Sequence, residues 1–260
     1  YSPFAYVTYG IVLSAVLKNQ GQGYEFGLVS TRLLKKFETK KQVGRTTVAF
    51  NSFLRHWKVH LKDVLGPMED TYSLARECGD LEYAAVTAFN QSFISFCIGK
   101  NLEHLDKKTA RLSQNIKELN QHSSLSFIML VHQAINNLID VREEPWVLEG
   151  PVIREEDVLN TSEDSQGQTN STALFILYFQ KAFLSLYFRN EQVGVVFIDK
   201  AGEHLDAVIS SWLQSIYYFL DSLIKLGAYD KAEKAEREIY MRRVLRNQKL
   251  MKKWSELAPT

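Results

Sequence analysis

Ala49-Phe50-Asn51-Ser52-Phe53 and Ala88-Phe89-Asn90-Gln91-Ser92-Phe93 repeat one alanine–phenylalanine–asparagine triplet, each followed closely by a further phenylalanine. The triplets lie 39 residues apart, from position 49 to position 88. Helix-opening segments keep the same beat. They begin near Gln22, Leu61, Asn101, Glu191 and Asp230, with gaps of about 39, 40, 90 and 39 residues, the long gap being two periods plus an insertion. A period in this range marks stacked helical hairpins. One amphipathic hairpin cannot bury its own apolar stripe, whereas a stack buries each stripe against its neighbour. The expectation is an all-α, tetratricopeptide-like superhelix of about six hairpins, a single array over 1–260 with an acidic loop insertion at about 141–170.

Working outward, the first hairpin runs from about Phe4 to Lys18, turns through Gly21-Gln22-Gly23 and returns to Phe37. In the returning helix Tyr24, Gly27, Leu28, Thr31 and Leu34 share one face, with Gly27 small where a neighbouring backbone comes close. The second hairpin covers Thr46–Trp57 and Pro67–Glu77. Gly79 suits a helix stop and Asp80 the next N-cap. The third is Leu81–Ile98 and Leu102–Leu119, with Gly99 at the turn and Asn101 as cap, and a helix at Leu125–Asp140 opens the fourth. The insertion that follows is rich in Glu and Asp, with Arg154 compensating. It has room for a short strand or helix at Trp146–Val152 or Glu155–Leu159, and a mobile tip at Thr161–Asn170. Ser171 then caps an aromatic helix, Ala173–Phe188, and Asn190 turns into Gln192–Leu205. The last hairpin is Ser211–Leu226, a turn at Gly227, and a helix from Asp230 to Glu256. The basic residues of that helix, Arg237, Arg242, Arg243, Arg246 and Lys249 among them, read as a solvated face at a helix C-terminus, and the acidic insertion is a candidate to contact them.

Composition removes several classes. The net charge of +1 favours neither nucleic acid nor an anionic membrane as partner. No apolar run is long enough to span a bilayer, and no leader peptide is visible. Cys78 and Cys97 make no disulfide framework and read as buried, reduced thiols of a cytoplasmic protein. The chain lacks an initiator methionine and reads as a segment of a longer polypeptide.

Chemistry-bearing motifs are scarce. There is no phosphate-cradling glycine loop, nucleophile elbow or paired-cysteine metal motif, and no cofactor is expected. His56 and His60 share a helix spacing suited to a metal, with Asp63 one turn on, but no further ligand follows. Asn51, Asn90 and Asn136 each sit in the first helix of a hairpin, in similar contexts. Such helices line the inner face of a superhelix. Two readings stand for them: a carboxamide ladder binding an extended peptide, with Arg55 clamping a carboxylate, or bridges buried within the stack. The aromatics Phe175, Tyr178, Phe179, Phe183, Tyr187 and Phe188 read as core.

Longer stretches carry a resemblance. Tyr24-Glu25-Phe26-Gly27, Asn51-Ser52-Phe53-Leu54-Arg55-His56-Trp57-Lys58-Val59-His60-Leu61 and Gly79-Asp80-Leu81-Glu82-Tyr83-Ala84-Ala85 are three of them. Thr172-Ala173-Leu174-Phe175 and Asn247-Gln248-Lys249-Leu250-Met251-Lys252-Lys253-Trp254-Ser255-Glu256-Leu257-Ala258-Pro259 are two more. With these the chain resembles the helical-repeat region of large multi-sensor signalling kinases of bacteria. In that family a serine/threonine-kinase-like domain and a predicted ATPase precede the helical region, and a GAF sensor and a histidine kinase follow it. The resemblance covers nearly the whole chain outside the acidic insertion. It implies a non-catalytic module within an ATP-dependent kinase; the residues themselves add the reading of a groove for a protein or peptide, flanking domains of the same chain included, at Asn51, Arg55, Asn90 and Asn136. The alternative it leaves is a structural spacer between the ATPase and the sensor and kinase domains.

Overall fold

A computed structural model describes residues 2–37, 40–140, 142–160 and 169–258. Among them are twelve α-helices and no strand, with one isolated antiparallel bridge between Glu149 and Arg154. No helix of the described residues is long and apolar enough to cross a membrane.

Chain contacts divide the protein into two compact units. Unit 1 takes the chain as far as Ile128, then Ser210–Trp212 and the stretch from Trp254. Unit 2 takes Met129–Ile209 and Leu213–Lys253.

Unit 1 opens with α1 (Pro3–Ala15) and α2 (Gln20–Phe37), which pack on each other and on α3 (Lys40–Phe53). Ser2 caps α1 by accepting from the Ala5 N–H. The turn between α1 and α2 is not the glycine-rich stretch that the sequence suggests. Lys18 makes it, in a left-handed conformation with φ of 53°, and Gly21 and Gly23 lie inside α2. Gly23 serves close approach instead: a Cβ there would come within 2.6 Å of the Gly10 carbonyl oxygen. Gly27 is also a contact glycine, but it faces a ring rather than a backbone, since a Cβ would meet Phe50 Cδ2 at 2.4 Å.

After α3 the chain tightens into two short 3-10 turns, Arg55–Trp57 and Leu61–Val64, before α4 (Leu65–Glu77). α4 packs on α5 (Leu81–Cys97), and α5 on α6 (Leu102–Glu118). These boundaries follow the sequence signals closely. Gly79 and Gly99 adopt positive φ and stop the preceding helices, and Asn101 accepts from the His104 N–H. Asp80 stands at the N-cap position of α5, yet its side chain caps nothing. The repeated triplet keeps its burial in both tiers: Ala49, Phe50, Ala88 and Phe89 all lie in the core.

Unit 2 holds most of α7 (His122–Ile139), then the insertion with α8 (Glu155–Asn160), α9 (Ser171–Tyr187), α10 (Glu191–Glu203), and all but an end of α11 (Trp212–Ala228) and of α12 (Lys234–Ser255). The insertion is clipped to its unit by one buried amide, Asn137, which donates to the Pro145 and Val147 carbonyls at 2.9 and 2.8 Å and accepts from Gln133 at 2.7 Å. Residues 161–168 of the expected mobile tip lie outside the described residues. Arg154 pairs with Glu156 at 2.8 Å, and Lys181 of α9 pairs with Glu155 at 2.6 Å. Among the described residues no ion pair joins the insertion to α12. Asn170, not Ser171, caps α9, and Asn190 caps α10. Gly227 lies within α11 rather than at a turn. A 3-10 turn at Tyr229–Lys231 replaces the expected Asp230 cap, so α12 begins later. Of the α9 aromatics, Phe175 and Phe179 are fully buried, whereas Tyr187 is exposed. Cys78 and Cys97 are free and only half-buried rather than buried, and desolvation pushes the Cys97 thiol pKa up.

Candidate functional site

The strongest candidate lies in unit 1, where α2 faces α3. Tyr24, Leu28 and Leu34 of α2, with Val43 and Phe50 of α3, wall a cleft of about 490 Å³, and Leu74 of α4 closes one side. The volume falls in the range of small-ligand and side-chain pockets. Gly27 shapes it: without a Cβ there, the Phe50 ring seats against α2 and leaves the space beside it open.

Asn51 follows Phe50, and Arg55 lies one turn further on, so both reach the same cleft. Arg55 Nη1 donates to Asn51 Oδ1 at 3.5 Å, a long and weak bond. Asn51 is completely buried, and its Nδ2 donor has no partner. Arg55 Nε is likewise shut from water and unpartnered. A buried donor left without an acceptor costs about 1–3 kcal/mol, more on a charged group. The loss is local: of the fifteen unpartnered buried polar atoms among the described residues, seven belong to Arg45, Thr46, Asn51, Ser52, Arg55 and His56. Native proteins carry few such atoms, and this run lies in α3 and the 3-10 turn after it; of its members Asn51 and Arg55 line the cleft.

The carboxamide ladder does not form as one row. Asn90 is buried in unit 1 and already engaged: its Oδ1 accepts the Trp212 indole N–H at 3.0 Å and its Nδ2 donates to the Val86 carbonyl at 2.9 Å. It does not line the cleft. Asn136 is half-buried in unit 2, where its neighbour Asn137 does the bonding described above. The structure therefore brings Asn51 and Arg55 together and gives Asn90 to internal packing.

No protein-family model matches the chain, and no curated protein or solved structure is significantly similar to it.

The two histidines do not form a metal pair. His60 is exposed and spends Nδ1 as a cap, accepting from the Lys62 N–H at 3.1 Å. Among the described residues no group of three or more His, Cys, Asp or Glu side chains is placed to hold a metal ion. The His56 side chain is half-buried and its ring lies against Trp57, with centroids 4.5 Å apart, but both nitrogens are shut from water and unpartnered. Desolvation lowers its pKa to about 3. The unfolded chain, with a histidine near 6.5, binds this proton first, so stability is held above pH 6.5 and lost as pH falls toward 3. Between pH 7 and pH 5 the protein should lose about 2 kcal/mol more than a His56→Phe variant in urea titrations. Parallel losses would show that His56 takes its proton within the fold.

Sequence reasoning missed a second polar centre, in unit 2. Lys225 of α11, almost wholly buried, lies 3.0 Å from Asp221 on its own helix and 2.8 Å from Asp199 of α10. Arg243 of α12 binds Asp221 at 2.9 Å through Nε, Asp199 at 2.8 Å through Nη1 and the Tyr217 hydroxyl at 2.6 Å through Nη2. Asn247 adds a bond to Asp221 at 2.6 Å. Burial raises the Tyr217 phenol pKa, against the opposing pull of Arg243. Two acids meet two bases here, so the centre is neutral, although Asn247 Oδ1 has no hydrogen-bond partner. It ties three helices together. Arg243 thus leaves the solvated face that the sequence suggests for it, while Arg242 and Arg246 stay exposed. The one local signal was the spacing of Asp221 and Lys225, an opposite-charge pair at i and i+4 in an otherwise uncharged helix.

Proposed function

We propose that the chain is a non-catalytic interaction module that holds a peptide or a partner domain in the α2–α3 cleft, within a cytoplasmic multidomain signalling kinase. One observation carries this reading: two orphaned donors, on Asn51 and Arg55, sit side by side in a largely apolar cleft. Helices adjacent in sequence also pack as neighbours, α1 on α2, α4 on α5, α5 on α6 and α9 on α10, in keeping with a tetratricopeptide-like array of hairpins. The sequence stretches quoted above supply the kinase context. An occupant would regulate by binding one arrangement of the parent better than another, since only differential affinity shifts an equilibrium.

The test is capture of the ATPase and GAF segments that the resemblance places on either side, by this chain and by an Asn51→Ala/Arg55→Met variant of intact helicity. Binding by the first and not the second supports the module. Equal capture by both moves the interaction elsewhere on the chain. The spacer reading draws on Asn90, whose two polar atoms are spent inside unit 1, and it predicts no capture by either form.

A further inference from the structure

We infer that the cleft takes the carboxyl-terminal end of a partner polypeptide: a free α-carboxylate on an apolar last residue. The inference rests on the cleft being a binding site, and the chemistry of its wall then selects the occupant. Both orphaned atoms are N–H donors, Asn51 Nδ2 and Arg55 Nε. The acceptor of Asn51 is turned toward Arg55, and the opposite amide orientation would set two donors against each other. The group that satisfies both therefore accepts without donating, as an ionised carboxylate or a backbone carbonyl does, and the Arg55 cation favours the charged one. Charge agrees. Arg55 and Lys35 line the cleft and none of its described lining residues is acidic, so an anion enters without opposition.

Much of the rest of the wall is apolar, although Thr31, Thr47 and Lys35 also line it. Leu28, Leu34, Val43 and Phe50 present hydrocarbon directly beside the donors. An occupant must carry its carboxylate and an apolar group within one pocket of about 490 Å³. The last residue of a chain does so, because its α-carboxylate and its side chain branch from one carbon. An internal Asp or Glu holds its carboxylate on one residue and borrows an apolar group from another, spreading the two apart. Capture of a chain end by clustered N–H donors is an established mode of peptide recognition. Lys35, exposed at the rim, adds attraction on approach and gives up no packing when it is changed.

The probe is a fluorescein-labelled hexapeptide ending in valine and leucine, used as the free acid and as the C-terminal amide, with the complete chain and fluorescence anisotropy. The free acid should bind about tenfold or more tightly than the amide, a difference of about 1.4 kcal/mol. Arg55→Met should erase that preference, and Lys35→Met, which cannot disturb the core, should weaken the acid while leaving the amide unchanged. Octanoate should compete poorly. Equal binding of acid and amide, both sensitive to Asn51→Ala, would overturn the carboxylate inference and leave the cleft a peptide site. Octanoate displacing the probe at the peptide's own concentration would overturn it in favour of a small apolar acid. Failure of acid, amide and octanoate alike to bind at millimolar concentration would overturn both the inference and the cleft.

Discussion

Asp221→Ala should destabilise unit 2 by about 3–5 kcal/mol, the cost of breaking a buried ion pair from one side. Asp221 is fully buried and stands between two cations, Lys225 and Arg243. Its loss leaves only Asp199 to balance both. That carboxylate is 46% exposed and too hydrated to compensate a lysine with 1% of its side chain in water. Asn247 loses its shortest bond in the same step. Removing charges in pairs is different: Asp221→Leu with Lys225→Met deletes an acid and a base together and should cost far less than the single change, because no unpaired charge remains. Urea midpoints of both variants, followed by circular dichroism, decide it. A double variant as unstable as the single one would mean that packing, not charge, holds these helices.

Trp212→Ala should cost unit 1 about 3–5 kcal/mol, the usual range for emptying a buried tryptophan site. The indole is 2% exposed and meets the Phe93 ring edge-on at 5.2 Å. Its N–H also satisfies Asn90 Oδ1, so truncation leaves both a void and an unpartnered acceptor. Trp212→Phe separates the two contributions by keeping most of the packing and dropping the bond; it should cost about 1–3 kcal/mol. If alanine and phenylalanine cost the same, the hydrogen bond outweighs the volume, and Asn90→Ala should then match both.

The helices of unit 1 were legible because their punctuation is local. A glycine with positive φ stops a helix wherever it stands, as Gly79 and Gly99 do, and Asn101 caps the residues beside it. Glycines used for contact misled for the same reason. Gly23 and Gly227 look like turns in sequence, yet each sits within a helix, and what makes the glycine necessary lies on another segment: the Gly10 carbonyl for one, the Glu191 side chain for the other. The site divides along the same line. Asn51 and Arg55 are four residues apart, and the 3-10 turn that carries Arg55 follows directly on α3, so their pairing was visible. Asn90 follows the same alanine–phenylalanine pair, and its fate turned on Trp212, 122 residues away. Arg243 looked solvated because neither Asp199 nor Asp221 is near it in sequence. Local pattern reports what a side chain is able to do, and distant partners decide whether that capacity is already spent.

Unit 1 is not a continuous stretch of chain, and this has a consequence for its birth on the ribosome. Its first 128 residues are synthesised early, but Asn90 and Phe93 await Trp212, and Trp57 awaits Trp254, whose ring meets it edge-on at 5.5 Å. At about 5–20 residues per second, the 122 residues between Asn90 and Trp212 take roughly ten seconds to make. Throughout that interval the nascent helices hold an open apolar seam. The emerging polypeptide is a natural client for chaperones over that time, and an expressed fragment that stops near residue 128 would keep the seam permanently.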